Sequence, residues 1–524
     1  MSIPTLSLRL LPALLAPLIA CGPLQAQFTF TSGQATGGSS TGAGQVSFNA
    51  NFPNNVAPAR FTGFIGGTHS LYKFGTGIIR IEGTNAYSGT TTIAAGILEL
   101  AGGNNSIGAG TIRGNITIYN NQGLITSTIN ALGWREGEKV DSIYSDGGTF
   151  YNTATGDQGW GVRYTFSNAG GLMSSNNGHN DVANNTASSP SYFTLGNYGG
   201  ASALRLINPF NTTVRVYGRV DLRTDDGYSN IVLDVSTMGT LAMHAALTES
   251  LTPGAGITKI GGGNLELRAI NTYTGTTIVN GGALSLINEY HSPNNGVGTL
   301  RGNITISSGT VYLNNPNVLG YLTGEKVNGI TIGGQGSLIN SANADQGWGI
   351  AYNFTGSGNM STNGGTASAT TGSKFSFGNN TTVTVAASSN PTISGRVDLR
   401  SDLNPNTDFT IDTNSKLNVS AAVTGGGGIN KYGPGTLALT GPVSYTGATN
   451  VAAGTLEVRD GTLSGAVSGG GTILKTGPTS FTLSGTSPFA GTWDVAAGNI
   501  VISSAANLGA TSSLILRGTA LQTT

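Results

Sequence analysis

The sequence predicts an all-β protein wound as a parallel β-helix. Three observations predict it: a glycine content more than twice the average, a scarcity of charge, and a short motif that recurs at irregular intervals. Glycine accounts for 83 of 524 residues, against about 7% in average usage, which excludes a helix bundle because glycine is a poor helix former. Lys and Arg total 24, Asp and Glu total 24, and the charged fraction is 9% where an ordinary globular chain has about 25%. The signs cancel, so there is no electrostatic footprint for nucleic acid or an anionic membrane surface. Disorder is excluded too, since the chain is 38% hydrophobic and rich in the β-branched residues that strands favour.

The recurring motif is 28 residues long and aligns without gaps at Lys73 to Leu100, Lys259 to Leu286, Lys431 to Val458 and Lys475 to Ile502. Each copy opens on Lys and continues into an alternating stretch such as Leu265-Glu266-Leu267 or Leu437-Ala438-Leu439. An aromatic residue (Tyr87, Tyr273, Tyr445, Phe489) then stands two residues before Gly89, Gly275, Gly447 or Gly491, and a second alternating stretch closes the copy. Alternation is the signature of a half-buried strand, and the glycines let the chain turn. The spacings between copies, 186, 172 and 44 residues, are too uneven for a propeller, whose blades repeat at about 40 to 50 residues.

On these residues the motif resembles the autotransporter-associated β-strand repeat, or passenger-associated transport repeat. The resemblance covers four segments and implies a β-solenoid passenger on the outer surface of a Gram-negative-type bacterium. It also implies a membrane β-barrel further on; the residues after the last copy, Ser503 to Thr524, hold room for about two barrel strands, so a self-encoded pore is not expected within this sequence.

The N-terminus reads as a secretory signal over residues 1–26. One positive charge precedes the apolar run Leu10 to Ala20, which is too short and too proline-interrupted to span a membrane. Cleavage between Ala26 and Gln27 is the favoured processing. Cys21, the single cysteine, ends Leu18-Ile19-Ala20-Cys21, which resembles a lipobox, so lipidation at Cys21 is the alternative. Neither route leaves an internal disulfide.

Residues 27–70 read as the glycine-, serine- and asparagine-rich start of the solenoid. A long unit, 71–256, is then copied as 257–428, and 429–524 is an incomplete third unit carrying two tandem motifs. The copying is visible in matched segments kept in order. Arg113-Gly-Asn-Ile-Thr-Ile118 recurs as Arg301 to Ile306, and Gly137-Glu-Lys-Val140 as Gly324 to Val327. Asp157-Gln-Gly-Trp-Gly161 recurs as Asp345 to Gly349, and Gly218-Arg-Val-Asp-Leu-Arg223 as Gly395 to Arg400. No linker or amphipathic helix separates the units, as a continuous stack requires. The third unit stops near its beginning, which leads to the expectation of a fragment of a longer product, or of end-to-end self-association through the C-terminal coil.

No residue is expected to be catalytic, no metal ligand set is expected and no cofactor is expected. The enzyme alternative, a polysaccharide-binding or polysaccharide-degrading β-helix, rests on Asp221, Arg223, Asp225 and Asp226, whose carboxylates suit acid/base work on a sugar or a divalent cation. The copy reads Asp398, Arg400, Asp402 and Leu403, which breaks the carboxylate run and favours a structural ladder. His69, His179, His244 and His291 share no metal-ligand spacing, and Gly333 to Gly336 lacks the aspartate of a calcium-binding nonapeptide. The glycine runs Gly261 to Gly263 and Gly425 to Gly428 precede no helix and so do not read as nucleotide loops. The one Gly-x-Ser-x-Gly match, Gly38 to Gly42 with Ser40 at its centre, lacks the strand-to-helix context of a nucleophile elbow. Trp160 and Trp348 are the candidate glycan contacts, flanked by glycine and amide side chains that suit sugar stacking; packing inside a wide turn is the competing reading. The sequence thus reads as an extracytoplasmic, structural or adhesive solenoid, with cell-surface or extracellular polysaccharide as a candidate partner.

Overall fold

The computed structural model describes residues 24–167, 170–175, 188–196, 202–207, 211–224, 230–250, 253–289, 295–362, 372–509, 513–517 and 520–523. They form a parallel β-helix. From Leu24–Thr29 to Ala520–Thr523 every strand pairs in parallel with the equivalent strand of a neighbouring coil. The antiparallel contacts among these residues are the isolated bridges Asn104↔Ala109 and Ser167↔Gly170. One short 3-10 turn, Ala505–Asn507, interrupts the strands near the end, capped by Ser504. No helix among the described residues is long and apolar enough to cross a membrane.

Alternation fixes which side chains enter the interior. Asn264–Leu267 and Ser480–Leu483 bury every second residue, and because coils pair residue to residue, inward positions become columns along the axis. One such column runs Ile79, Leu98, Leu124, Phe150, Met173, Val216, Met243, Leu267, Leu286 and Leu313. All are buried in one continuous core. At about 25 cal/mol per Å² of apolar surface, this burial is the main favourable term holding the stack, and the ladder hydrogen bonds satisfy the backbone it encloses.

Stacking also places like charges opposite one another where the sequence does not avoid it. Arg60 lies in register with Arg80, and Glu82 relieves the repulsion by accepting from Arg60 at 2.6 Å and sitting 3.2 Å from Arg80. Arg80 in turn reaches Glu99, its register partner on the next coil, at 2.7 Å.

The lysine that opens each short motif lies inside this core. Lys73 stacks between Phe48 and Ile93, Lys259 between Leu233 and Val279, Lys431 between Phe409 and Val451, and Lys475 between Val458 and Val495. All four are fully buried. Each ammonium donates to three carbonyls: those of the next two residues and one on the following coil. For Lys259 these are Ile260 at 3.0 Å, Gly261 at 2.6 Å and Gly281 at 3.0 Å; Lys73, Lys431 and Lys475 make the same set. A charge that polar grouping alone would place outside is thus held inside as a staple between successive coils.

Candidate functional site

The four matched segments of the long duplication meet in space. Arg301 pairs with Glu325, and Arg113 lies 3.9 Å from Glu138, so the first segment is tied to the second. Lys139 donates to the carbonyl of Gly161 at 2.9 Å, and Lys326 likewise to Gly349, which ties the second to the turn that carries the tryptophan. The third and fourth segments meet through the tryptophan itself. The guanidinium of Arg223 lies 5.0 Å from the Trp160 ring centre, and that of Arg400 lies 5.9 Å from the Trp348 ring centre.

Each tryptophan turn is built in the same way. Gln158 and Gln346 are buried and hold the loop of the coil beneath: Gln346 donates to Asn315 O at 2.7 Å and accepts from Leu319 N at 3.5 Å, and Gln158 makes the corresponding bonds to Thr128 and Leu132. The amide is therefore a structural group and not the sugar-binding group expected beside the tryptophan. Gly159 and Gly347 adopt φ of +89° and +92°. A Cβ there would strike the hydroxyl of Tyr164 or Tyr352, so the turn requires glycine twice over.

Each tryptophan packs against an aromatic residue one coil earlier. Trp134 meets Trp160 with 6.2 Å between ring centres, and Tyr321 meets Trp348 at 6.2 Å, nearly edge to face. These partners occupy equivalent places just before Gly-Glu-Lys-Val; sequence reading missed them because tryptophan is exchanged for tyrosine. In the second unit a cleft of about 270 Å³ opens between Tyr321, Trp348, Arg400, Asp402 and Asp345. In the first a cleft of about 230 Å³ lies against Trp134, Trp160, Arg135, Glu136 and Lys139.

Each charge named at the second cleft has a partner of opposite sign. Arg400 grips Asp402 with two bonds, 2.9 and 3.0 Å, which holds the Asp402 carboxyl below the usual range, and its guanidinium lies 3.7 Å from Asp345. Lys374 bonds Asp398 at 3.0 Å and lies 3.8 Å from Asp345. In the first unit Tyr192 stands where Lys374 does, and Arg219 lies over its ring at 4.4 Å.

Of the enzyme candidates, the described Asp221 is engaged by the fold. Asp221 is fully buried, and its Oδ1 accepts from Thr248 at 2.6 Å, from Ser250 N at 2.9 Å, from Ser250 Oγ at 2.7 Å and from Arg219 at 3.3 Å. Its copy Asp398 bonds Thr424 and Lys374. These are ladder contacts between coils. Asp157 accepts from Thr194, and burial raises its carboxyl to about 6.

Cys21, Asp225, Asp226, His179 and His291 lie outside the described residues. Ala26 and Gln27 lie within Leu24–Thr29, in register with Val46 and Ser47. Ser40, the centre of the Gly-x-Ser-x-Gly match, contacts the buried His69 through Nε2 at 3.0 Å, while His69 Nδ1 is buried without a partner. Among the described residues the pair therefore has no carboxylate to orient the base, as a hydrolytic triad requires. His244 stacks on Tyr217 at 4.5 Å, and its burial beside Arg268 and Arg215 lowers it to about 4. No group of three or more His, Cys, Asp and Glu side chains suited to a metal ion occurs among the described residues.

Fold and site define a parallel β-solenoid assembled from internal repeats, with paired aromatic clefts on one edge of its coils. The passenger-associated-transport-repeat model matches residues 71–100, 257–286, 429–458 and 473–502, so the chain carries four copies of that repeat. No curated protein and no solved structure matches it.

Proposed function

We propose that this chain is an extracytoplasmic passenger of the outer bacterial surface, with a structural or adhesive role and without catalysis. The repeat family supports surface placement. The single observation that carries the non-catalytic reading is the engagement of Asp221: a carboxylate enclosed by Thr248, Ser250 and Arg219 and fully buried is a rung of the stack and is out of reach of a substrate. The adhesive reading rests on the aromatic clefts, which are the concave aromatic features with convergent polar groups that binding sites favour.

Whole cells expressing the gene should bind antibody raised against residues 259–500 and lose the signal after external protease. Retention of the antigen inside protease-treated cells overturns the placement. Purified protein that depolymerises a polysaccharide, with the activity abolished by Asp221→Asn, overturns the non-catalytic reading. The mature chain is expected to begin at Gln27, and mass spectrometry of the exported protein reads this directly; a diacylglyceryl group on Cys21 replaces it with the lipoprotein route.

A further inference from the structure

We infer that the two aromatic clefts are one bivalent site for an extended neutral polysaccharide running along the solenoid axis. The inference rests on the adhesive reading above and supplies its ligand class.

The clefts are copies at a fixed separation. From Trp160 to Trp348 the same edge can be followed coil by coil. Gln158 lies in register with Phe193, Phe193 with Val220 and Val220 with Leu247; backbone bonds then lead from Leu247 to Thr272, from Asn271 to Thr299 and from Thr299 to Val318, and Leu319 bonds Gln346. That is seven coil steps. At about 4.8 Å per step the tryptophans are roughly 34 Å apart along the axis, a distance a polymer spans and a small molecule does not.

The chemistry selects a neutral sugar: at the first cleft Arg135 lies 3.7 Å from Glu138, and Lys139 lies 3.9 Å from Glu136 and 3.6 Å from Asp141, so the cations there are already paired. Tyr321 and Trp348 supply aromatic surface at the second cleft. The Trp348 indole nitrogen is a buried donor without a partner among the described residues. Carboxylates and guanidinium stand beside the rings, where they suit hydroxyl groups, but Arg400 is already matched by Asp402 and Asp345. An anionic polymer would meet Asp345 and Asp402, whose neighbouring cations Arg400 and Lys374 are already paired with carboxylates, whereas hydroxyls bond to paired charges without upsetting the pairing.

Two weak sites on one rigid scaffold bind a polymer with avidity. Occupying the second becomes intramolecular, which raises affinity on the order of 100-fold or more over one site alone. The test uses the purified protein with a linear neutral glucan, its disaccharide and polygalacturonate, read by calorimetry. The neutral polymer should bind about 100-fold more tightly than the disaccharide, and polygalacturonate should not bind. Trp160→Ala or Trp348→Ala alone should reduce polymer affinity to the disaccharide level, and the double variant should abolish binding of both. Because these rings also pack, Trp160→Phe and Trp348→Phe are made in parallel; they keep an aromatic face and should retain most polymer binding. The inference fails if polymer and disaccharide bind equally, if the charged polymer is preferred, or if the double alanine variant, still folded by circular dichroism, binds as the parent does. Surface placement is read in cells and this binding in solution, so either result stands without the other.

Discussion

Phe489 and Trp493 meet edge to face with 5.2 Å between ring centres, at the two positions where the other short repeats hold a tyrosine hydrogen-bonded to a threonine. Tyr87 and Thr91, Tyr273 and Thr277, and Tyr445 and Thr449 join hydroxyl to hydroxyl at 2.5, 2.6 and 2.7 Å, each buried. The fourth repeat exchanges both members together. A phenylalanine cannot satisfy a buried threonine hydroxyl, and Trp493 instead fills the space and sends its indole N–H to Leu508 O at 2.9 Å.

The pairs are therefore expected to be coupled. Tyr273→Phe leaves the Thr277 hydroxyl buried and unpaired and should cost about 1 to 3 kcal/mol. Tyr273→Phe combined with Thr277→Val should cost less than the sum of the two single changes, by about 1 kcal/mol. Trp493→Thr empties a large volume and should cost about 3 to 5 kcal/mol. Urea unfolding of the four variants reads these differences; strict additivity at 273 and 277 would contradict the coupling.

The lysine staples give stability a pH dependence. Burial lowers Lys73 to about 7 and Lys259 and Lys431 to about 8, from an ordinary value of 10.5. Between those values and 10.5 the unfolded chain holds protons the folded chain does not, so stability rises with pH across that window. Above about 10 the sign reverses. Buried Tyr87, Tyr273 and Tyr445 have raised hydroxyl pKa values, so the folded chain then holds the extra protons. Urea midpoints should climb from pH 7 to about 10 and fall beyond it. Lys73→Met should flatten the climb and lower stability at pH 7 by about 2 to 5 kcal/mol, since three carbonyls lose their donor. A climb unchanged in Lys73→Met assigns it to other groups.

The parallel stack was legible because its signals are local. Alternation around Leu265 and Leu437 orients those side chains, and identical segments aligned without gaps imply coils in register. The position of Lys259 was equally present in the pattern, two residues after the buried Ile257, but its charge argues for the surface and overrides the alternation until three carbonyl acceptors are seen. The cleft was half legible. Trp160 and Trp348 stood out as copies, yet Trp134 and Tyr321 differ in identity, and Arg400 is brought to Trp348 by coil stacking across more than fifty residues of sequence, which no local pattern encodes.

Two buried hydroxyls in the tryptophan turns yield an expectation of unusual sign. Tyr164 Oη and Tyr352 Oη have no partner among the described residues, and each lies where a side chain on Gly159 or Gly347 would go. Removing an unpaired buried hydroxyl removes its desolvation cost, so Tyr352→Phe and Tyr164→Phe should stabilise the fold by about 1 kcal/mol. Gly347→Ala should destabilise it, and Tyr352→Phe should recover part of that loss. Thermal unfolding decides, and a clear loss of stability in Tyr352→Phe would reveal a partner for that hydroxyl.

Asp157, in the first tryptophan turn, gives the fold an acid response. Burial raises its carboxyl to about 6, opposed by the bond from Thr194 and the charge of Arg223, with Asp221 adding repulsion. Since the ordinary value is 3.8, the folded chain holds an extra proton between about pH 4 and pH 6. The contribution of this group is therefore full below pH 4 and is lost as pH rises through 6. Asp157→Asn mimics the protonated form at every pH. It should raise the urea midpoint at pH 7.5 and leave it nearly unchanged at pH 4. The difference between parent and variant should thus grow as pH rises from 4 to 6 and stay constant above about 7. A variant less stable than the parent at pH 7.5 would mean that the attraction of Arg223 for the ionised carboxylate outweighs the burial that opposes it.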